Sequence, residues 1–193
     1  MTMDENLAKI RHERSKKDFP NVSFHDDEYV EFAFSRSKIC LWAILGATFG
    51  GLVLILLGFL FVLLGQERLD EMGKHFLFII LFALLAAALI IGIVALKVYN
   101  GNKLFITNKR AIQLIMNTLV SSSVNIIDLS SIEDASFHQD TILQRLFQYG
   151  TLRLATVGDE TTYTFKYSDI SPDQMKAVSK LISIAKKNMR RDK

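Results

Sequence analysis

Residues 102–115 read NKLFITNKRAIQLI, and they begin a few positions after a long apolar run ends. Apolar and polar residues alternate through KLFIT and again through RAIQLI, which is the period of a β-strand with one buried face. Between the two runs stand Asn108 and Lys109, and asparagine tolerates the left-handed conformation that a two-residue turn requires. The stretch therefore predicts a β-hairpin, with Lys103, Lys109 and Arg110 around it.

Two apolar runs without a charged residue precede this hairpin, at 39–65 and 76–96. About 20 helical residues cross a hydrocarbon core about 30 Å thick, and the mean hydropathy of the chain, +0.23, is high for a soluble protein. Both runs are predicted to be transmembrane helices, in a helical hairpin over 38–97. The alternative, two helices buried in a soluble core, is disfavoured because such helices carry polar positions on their solvent side.

The charges near the ends of the two runs predict the orientation of the helical hairpin. Basic residues flank its outer ends at Arg36, Lys38, Lys97, Lys103, Lys109 and Arg110, whereas the connector contains Arg68 and Lys74. Because Lys and Arg near helix ends favour the cytoplasmic side, we expect a multi-pass protein of the cell (plasma) membrane with both termini in the cytoplasm. The single cysteine, Cys40, cannot form an intrachain disulfide.

Small residues in both runs predict close packing of the two helices. In lipid, small side chains let helix backbones approach each other, and the candidates are Gly46, Gly50, Gly58, Ala87 and Gly92. A tight antiparallel hairpin follows, and dimerisation of two chains through Gly46 and Gly50 is the alternative. Neither run contains a charged residue or a proline, which favours an anchor over a transport path.

Further short strands are predicted after the hairpin at SVNIID, IEDASFHQ, TLRLATV and TYTFKY. EYVEFAFS at 28–35 predicts another strand before the apolar runs, and we expect it to pair with an edge of the β region that follows them. The N-terminal segment 1–37 is otherwise charged and is expected to be partly mobile, with at most a short helix around 6–16. Ser171, Pro172 and Asp173 supply an N-cap, a preset φ and an acid at the start of a helix over 172–191. The predicted fold class is a membrane α-helical hairpin plus an all-β barrel of six to seven strands, which occupies 98–193 and is capped by the C-terminal α-helix.

Two segments, LFITNKRAIQL (104–114) and DLSSIEDASFHQDTILQRLFQYGTLRL (128–154), carry a resemblance to a known family. They resemble the bacterial pleckstrin-homology (PH)-like membrane proteins, the YdbS-like family, in which a transmembrane helix pair precedes a bacterial PH domain. The matching positions are 107–110, Leu129 with Ile132, and 147–154, and the resemblance extends over 36–184. It implies a PH-like fold and a membrane location rather than an activity, and the long N-terminal extension departs from the family.

Two positions in the second segment are predicted to be critical for the fold. Gly150 is expected to adopt a backbone conformation closed to residues with a Cβ, where the chain turns into the next strand. Phe147, with Leu143 and Leu146, is expected to fill the mouth of the barrel. On that expectation, Phe147→Asp unfolds the β module.

The sequence offers no residue pattern typical of catalysis. Its histidines, His12, His25, His75 and His138, are scattered without metal-ligand spacing, and no glycine-rich phosphate loop occurs. We therefore expect no enzyme, no metal, no cofactor and no small-molecule substrate. Nucleic acid is disfavoured as a partner because aromatic residues do not interleave with the basic ones.

Basic residues are the candidates for a lipid-facing surface, namely Lys103, Lys109, Arg110, Lys186, Lys187, Arg190 and Arg191. A cation near an anionic leaflet contributes about 1 kcal/mol. Membrane topology, a solvated turn and the negative end of a helix dipole explain the same residues without a lipid site.

The sequence thus favours a membrane-anchored, non-catalytic PH-like module that acts in protein interaction or assembly at the cytoplasmic face of the membrane. The contact is expected through self-association or through docking at an exposed strand edge or at Phe32 and Phe34. The first alternative is a module that binds or senses anionic lipid, and the second is an accessory subunit of a transport or envelope system. The expected partners are the lipid bilayer and either another protein or a second copy of the chain.

Overall fold

The structure, a computed structural model, describes residues 3–20, 22–64, 71–156 and 162–191, and of residues 3–5, 71, 190 and 191 it describes the backbone. The helices are α1 (Met3–Asp18), α2 (Lys38–Leu64), α3 (Glu71–Gly101), α4 (Ile142–Leu146) and α5 (Pro172–Arg191). The strands are β1 (Val30–Ser35), β2 (Lys103–Thr107), β3 (Arg110–Met116), β4 (Ser122–Asp128), β5 (Ile132–His138), β6 (Gly150–Thr156) and β7 (Thr162–Ser168). A 3-10 turn, Leu129–Ser131, joins β4 to β5.

The strands form two antiparallel sheets. Sheet A has four strands in the order β1-β2-β3-β4, and sheet B has three in the order β5-β6-β7. An isolated bridge between Arg36 and Ser168 links the end of β1 to the end of β7. Together with two long apolar helices and the C-terminal helix, these sheets confirm the predicted fold class.

The core lies between the two sheets and α5. Alternate residues of each strand point inward, and α5 adds Val178 and Ile182 from one face. The core side chains are Phe34, Leu104, Ile106, Ala111, Ile127, Leu129, Ile132, Leu152, Leu154, Phe165, Ile170, Val178 and Ile182. Phe34 is buried and Phe32 packs against the core, with their rings stacked 5.9 Å apart. Docking of a partner through Phe32 and Phe34 is therefore wrong, because both rings already serve the core.

The helical hairpin is inserted between two neighbouring strands of one sheet. Strand β1 pairs antiparallel with β2, and Ser35 lies opposite Lys103. The chain therefore leaves sheet A at the end of β1, runs through α2 and α3, and returns to the same sheet at β2. Sheet A accordingly combines a strand from before the helices with three strands from after them.

The two apolar helices are long enough to cross a membrane. Helix α2 has 27 residues, and an 18-residue stretch of it has a mean hydropathy of 2.7; in the 30 residues 72–101 of α3, an 18-residue stretch has a mean hydropathy of 3.2. Helix α3 extends beyond the predicted 76–96, because the residues that follow Leu96 include no helix breaker before Gly101. At its end, Nδ2 of Asn102 donates hydrogen bonds to the carbonyls of Val98 (2.6 Å) and Met116 (2.9 Å), which fastens the helix to β3. Gly65 of the first predicted helix and Arg68 of the connector lie outside the described residues.

The contact between α2 and α3 uses only some of the predicted small residues. A Cβ at Gly92 would lie 2.7 Å from Cγ2 of Thr48, and a Cβ at Gly58 would lie 3.4 Å from Leu81. A Cβ at Gly46 or Gly50 would meet nothing within 4 Å in the described part of the chain, and Ala87 is exposed as well. The assignment of these last three to the helix contact is corrected: Gly46 and Gly50 lie off the contact stripe of α2, and Ala87 lies off the face of α3 that carries Leu81 and Gly92.

Helix α1 is longer than the short helix predicted around 6–16. It lies against sheet A: the Oγ of Ser15 accepts a hydrogen bond from the N–H of Val30 (3.0 Å). Just beyond the helix, the ring of Phe19 packs 4.7 Å from the ring of Phe105. Because Phe105 points away from the core between the sheets, α1 covers part of the outer face of sheet A.

Helix α4 presents its apolar side chains to solvent rather than to the core. Leu143, Leu146 and Phe147 are 58%, 69% and 51% exposed, so the prediction that they fill the mouth of the barrel is wrong. The reason is a capping box, in which Thr141 and Gln144 satisfy each other's backbone N–H groups. This arrangement turns the polar Gln144 inward and leaves the leucines outside.

Gly150 is constrained by close packing. A Cβ at Gly150 would collide with the carbonyl of His138 and would lie 2.7 Å from the ring of Phe137. The left-handed conformation of this turn belongs instead to Gln148, with φ of 54°. The reason expected for this glycine is therefore corrected from backbone conformation to the close approach of the neighbouring strand.

Candidate functional site

The PH-like sheets have two ends that differ in their surroundings. At the helix end, Ser35, Lys103 and Met116 adjoin α2 and α3, and the backbone N–H of Ser37 donates to the carbonyl of Tyr167. At the far end lie Thr107 to Arg110, the turn of the quoted β-hairpin, and the strands between the two ends are five to seven residues long. At about 3.3 Å per residue, this turn lies roughly 17 Å along β2 from the end of α3.

A buried ion pair joins the N-terminal segment to this turn. Nε and Nη2 of Arg110 donate to the two carboxylate oxygens of Glu28 at 2.8 and 2.9 Å. The Glu28 side chain is fully buried and that of Arg110 is 11% exposed. Thr107 donates its hydroxyl to Oε1 (2.8 Å), and the backbone N–H of His25 donates to Oε2 (2.9 Å). The carboxylate is thus held by one bidentate donor, the guanidinium of Arg110, and by two further hydrogen bonds.

The other residues of the turn also hold the N-terminal segment. Asn108 accepts from the N–H of Tyr29 (3.1 Å) and donates to the carbonyl of Asp27 (3.0 Å). Nζ of Lys109 donates to the carbonyl of Asp26 (2.9 Å). Arg110 also reaches the carbonyl of Ser23 (2.8 Å). The polar groups of residues 23–29 and 107–110 therefore form hydrogen bonds with one another. We call these two segments the N-terminal clamp.

The electrostatics of the N-terminal clamp keep Glu28 ionised. Burial alone would raise the pKa of its carboxyl, because the charged form loses water. The hydrogen bonds from Arg110, from the N–H of His25 and from Thr107, together with the charge of Arg110, outweigh burial and lower the pKa below the ordinary value of 4.5. Glu28 is therefore a structural anion at neutral pH.

The structure disperses the basic residues predicted to face lipid. Lys109 and Arg110 lie in the N-terminal clamp, and Lys103 is exposed at the helix end. Nζ of Lys186 donates to the carbonyl of Glu133 (2.9 Å) at the far end, beside the exposed Lys187. The side chains of Arg190 and Arg191 lie outside the described residues. A lipid-facing role for this set stays a prediction.

Sequence reasoning missed the role of Glu28. The signal was present as the acidic run of Asp26, Asp27 and Glu28, which complements Lys109 and Arg110. These residues are about 80 positions apart in the sequence, and Glu28 and Arg110 are 82 positions apart. A single sequence does not reveal such a pairing, because any acidic run and any basic turn look equally complementary.

Strand β4 is an exposed edge of sheet A. Among the described strands it pairs only with β3. Val124 and Ile126 share its outer face and are 55% and 53% exposed. The strand contains no lysine or proline, the residues that commonly protect an edge from further pairing. Sequence reasoning proposed an exposed strand edge without saying which strand it was.

An open groove of about 1110 Å³ lies between sheet B and the first turns of α5. Phe137, Gln139, Phe147, Ile170 and Met175 line it. The groove and α4 lie at the helix end, because β5 ends and β6 begins there. Among the residues that the structure describes, no three His, Cys, Asp or Glu side chains come close enough to hold a metal ion.

A four-stranded and a three-stranded antiparallel sheet, with a C-terminal helix packed on the core between them, define a PH-like module. Residues 40–186 match the sequence profile of the bacterial PH domain family. This match covers more than half of the chain, and the chain therefore belongs to the bacterial PH domain family.

Among solved structures, one similar protein is a DUF1696 family protein with a pleckstrin-homology domain from Shewanella loihica PV-4. It has 15% sequence identity and a TM-score of 0.32, over 44% of this chain and 70% of that chain. No curated protein matches the sequence.

Proposed function

We propose that the chain is a membrane-anchored, non-catalytic module that docks a protein partner at the cytoplasmic face of the cell membrane. In this arrangement α2 and α3 span the bilayer, and the PH-like sheets, built from 28–37 and 102–191, lie directly at its surface. The length and hydropathy of the two helices support spanning. Arg36, Lys38, Lys97 and Lys103 all lie on the module side of the helices, which supports cytoplasmic termini.

The edge of β4 is the observation that carries the docking proposal. An edge strand offers unpaired backbone N–H and C=O groups to an incoming extended segment. On β4, the adjacent outer-face residues Val124 and Ile126 offer apolar contacts beside that edge. Such an edge fits an extended protein segment, whose backbone supplies affinity and whose alternate side chains supply selectivity.

Anionic lipid is the less supported partner for the first β-hairpin. Lys109 and Arg110 already donate to Asp26, Ser23 and Glu28 of the same chain. A lipid phosphate would have to displace those acceptors, and the ion pair with Glu28 is buried. Both cations also lie at the far end of sheet A, away from the helices.

Photo-crosslinking in native membranes tests the docking proposal. A photoreactive amino acid replaces Ile126 in the full chain, and Lys166, exposed on β7, is replaced in a control. We expect a discrete protein adduct from position 126, absent from position 166, and lost when Val124→Glu is added. Ser123→Glu, on the same strand, is the matched variant that retains the adduct.

Two results would count against docking at β4. One is the absence of an adduct at position 126, and the other is an adduct that persists unchanged with Val124→Glu. Clustering of anionic vesicles by the full chain tests lipid binding instead. If the chain clusters them in a salt-sensitive manner and Lys103→Ala abolishes the clustering, lipid binding replaces protein docking as the function.

A further inference from the structure

Two exposed apolar patches lie at the helix end of the PH-like sheets. In the turn between β3 and β4, Leu119 is 52% and Val120 is 98% exposed. In and after α4, the exposed side chains are Ile142 (85%), Leu143 (58%), Leu146 (69%) and Phe147 (51%). We call these six residues the apolar rim. A soluble surface rarely gathers so many large apolar side chains without a partner.

Both patches are fastened beside the two apolar helices. The β3–β4 turn starts after Met116, whose carbonyl accepts from Asn102 at the end of α3. A Cβ at Gly101 would lie 2.7 Å from the sulfur of Met116, so the turn is packed directly against the helix. On the other side, the ring of Tyr149 lies 6.3 Å from that of Tyr167, whose carbonyl accepts from the N–H of Ser37 before α2.

The length of α3 places the apolar rim close to the hydrocarbon boundary. The uncharged run of α3 ends before Lys97, and Asn102 lies five positions after Lys97. At a rise of about 1.5 Å per residue, this distance is roughly 7 Å. The headgroup layer of one leaflet is about 5–7 Å thick. Trp42, one turn into α2 and 70% exposed, lies where tryptophan is enriched in membrane proteins, at the same boundary.

We infer that the apolar rim rests in the headgroup and upper acyl region of the same bilayer that α2 and α3 cross. The partner is the lipid surface itself, and the inference rests on the proposed anchoring of the chain. The segment 117–121 carries no charge, and Arg145 is the one charged residue in 142–147, a cation suited to lipid phosphate. The bilayer is favoured over a second copy because both patches adjoin the helices that enter it.

Membrane contact at the apolar rim would fix the orientation of the module. With one patch beside the end of α3 and the other near the start of α2, the sheets would stand on the bilayer with the N-terminal clamp pointing away from it. The lipid contact would then be mainly apolar, with Lys103 beside it at the helix end, and it would not need Lys109, Arg110, Lys186 or Lys187 at the far end. The edge of β4 would extend from the surface toward the cytoplasm.

Fluorescence of single labels on the full chain tests the inference. In a Cys40→Ala background, a cysteine replaces Val120 or Leu146 and carries an environment-sensitive fluorophore, and the chain is reconstituted into phosphatidylcholine vesicles with or without phosphatidylglycerol. Asp26 and Lys187, both exposed at the far end, are the control positions. We expect a blue-shifted emission that nitroxide-bearing lipids quench at positions 120 and 146, and neither effect at positions 26 and 187.

A label at Leu54, in the middle of α2 and 70% exposed, separates the possible failures. If position 54 is in lipid while 120 and 146 behave like the controls, the inference fails and the anchor stands. If position 54 is in water, the proposed anchoring fails as well. A blue shift that grows with protein density and is not quenched by nitroxide lipids would show that a second copy covers the rim, which also overturns the inference. If labelling at position 120 or 146 lowers the melting temperature of the chain, the label is placed at position 119 or 142 instead.

Discussion

At the scale of single residues, Glu28 and Arg110 attach the N-terminal segment to the turn between β2 and β3. The two residues are 82 positions apart and form an ion pair. The side chain of Glu28 is fully buried, and that of Arg110 is only slightly exposed. A basic turn whose residues were candidates for a lipid-facing surface in the sequence is therefore part of an internal contact. The residue types were visible in the sequence, but their partner depended on how β1 pairs with β2.

Removing the carboxylate of Glu28 is expected to destabilise the sheets. Taking away one partner of a buried ion pair costs about 3–5 kcal/mol, because the other charge stays buried without compensation. We expect Glu28→Gln to lower the free energy of opening of β2 by that order, as measured by amide hydrogen exchange. Glu31→Gln is the control, since Glu31 pairs at 3.5 Å with an exposed Arg11 and such surface pairs contribute about 0–1 kcal/mol.

The same variant has a defined pH dependence. Because the folded pKa of Glu28 is lowered from 4.5, its contribution to stability is fully present above the unfolded value and is lost as the pH falls through the folded value. The stability difference between the wild type and Glu28→Gln should therefore shrink as the pH is lowered below about 4.5. A difference that stays constant or widens in acid would contradict the assignment.

At the scale of elements, the strands were easier to predict from the sequence than their neighbours in space. Alternation located six strands after the helices, because each has one face in the core. It also predicted a strand at 28–35 that pairs with an edge of the β region, but it could not identify β2 as the partner, since that pairing spans the whole helical hairpin. Exposure of α4 escaped prediction for a related reason: Leu143 and Leu146 have the composition of core residues, and only the capping box around Gln144 turns them outward.

The helical hairpin provides a prediction at this scale. Gly92 packs against Thr48, whose hydroxyl is held by the carbonyl of Ile44 (2.8 Å), so the threonine has little freedom to move aside. We expect Gly92→Leu to force α2 and α3 apart at a cost of about 1–3 kcal/mol, the range for overpacking. Thermal melting of the full chain in micelles measures this cost.

Gly50→Leu is the matched variant for Gly92→Leu. In the described part of the chain, nothing lies within 4 Å of a Cβ at Gly50. The variant should therefore change stability by no more than about 0.5 kcal/mol. Equal losses from both variants would show that the helices pack through a different stripe.

At the scale of the whole molecule, the helical hairpin is an insertion into one turn of the PH-like fold. Because Ser35 lies opposite Lys103 in an antiparallel pair, their Cα atoms are about 5 Å apart. A β-hairpin with a turn of about two residues could join the strands at that point. The family resemblance, with helices placed before the domain, did not indicate that the first strand precedes them.

Excision of the helical hairpin tests this organisation. In the joined chain, an Asn-Gly turn replaces the helical hairpin and joins Arg36 to Asn102. We expect this chain to fold without a membrane, because strands β1 to β7 and α5 are retained. The fragment 98–193 should not fold cooperatively, because it lacks β1 and loses Phe34 from the core. Val120→Ser and Leu146→Ser are included in both proteins so that exposure of the apolar rim is matched. Thermal unfolding followed by circular dichroism compares the joined chain with the fragment 98–193. If the fragment melts as cooperatively as the joined chain and at the same temperature, β1 is not an integral strand.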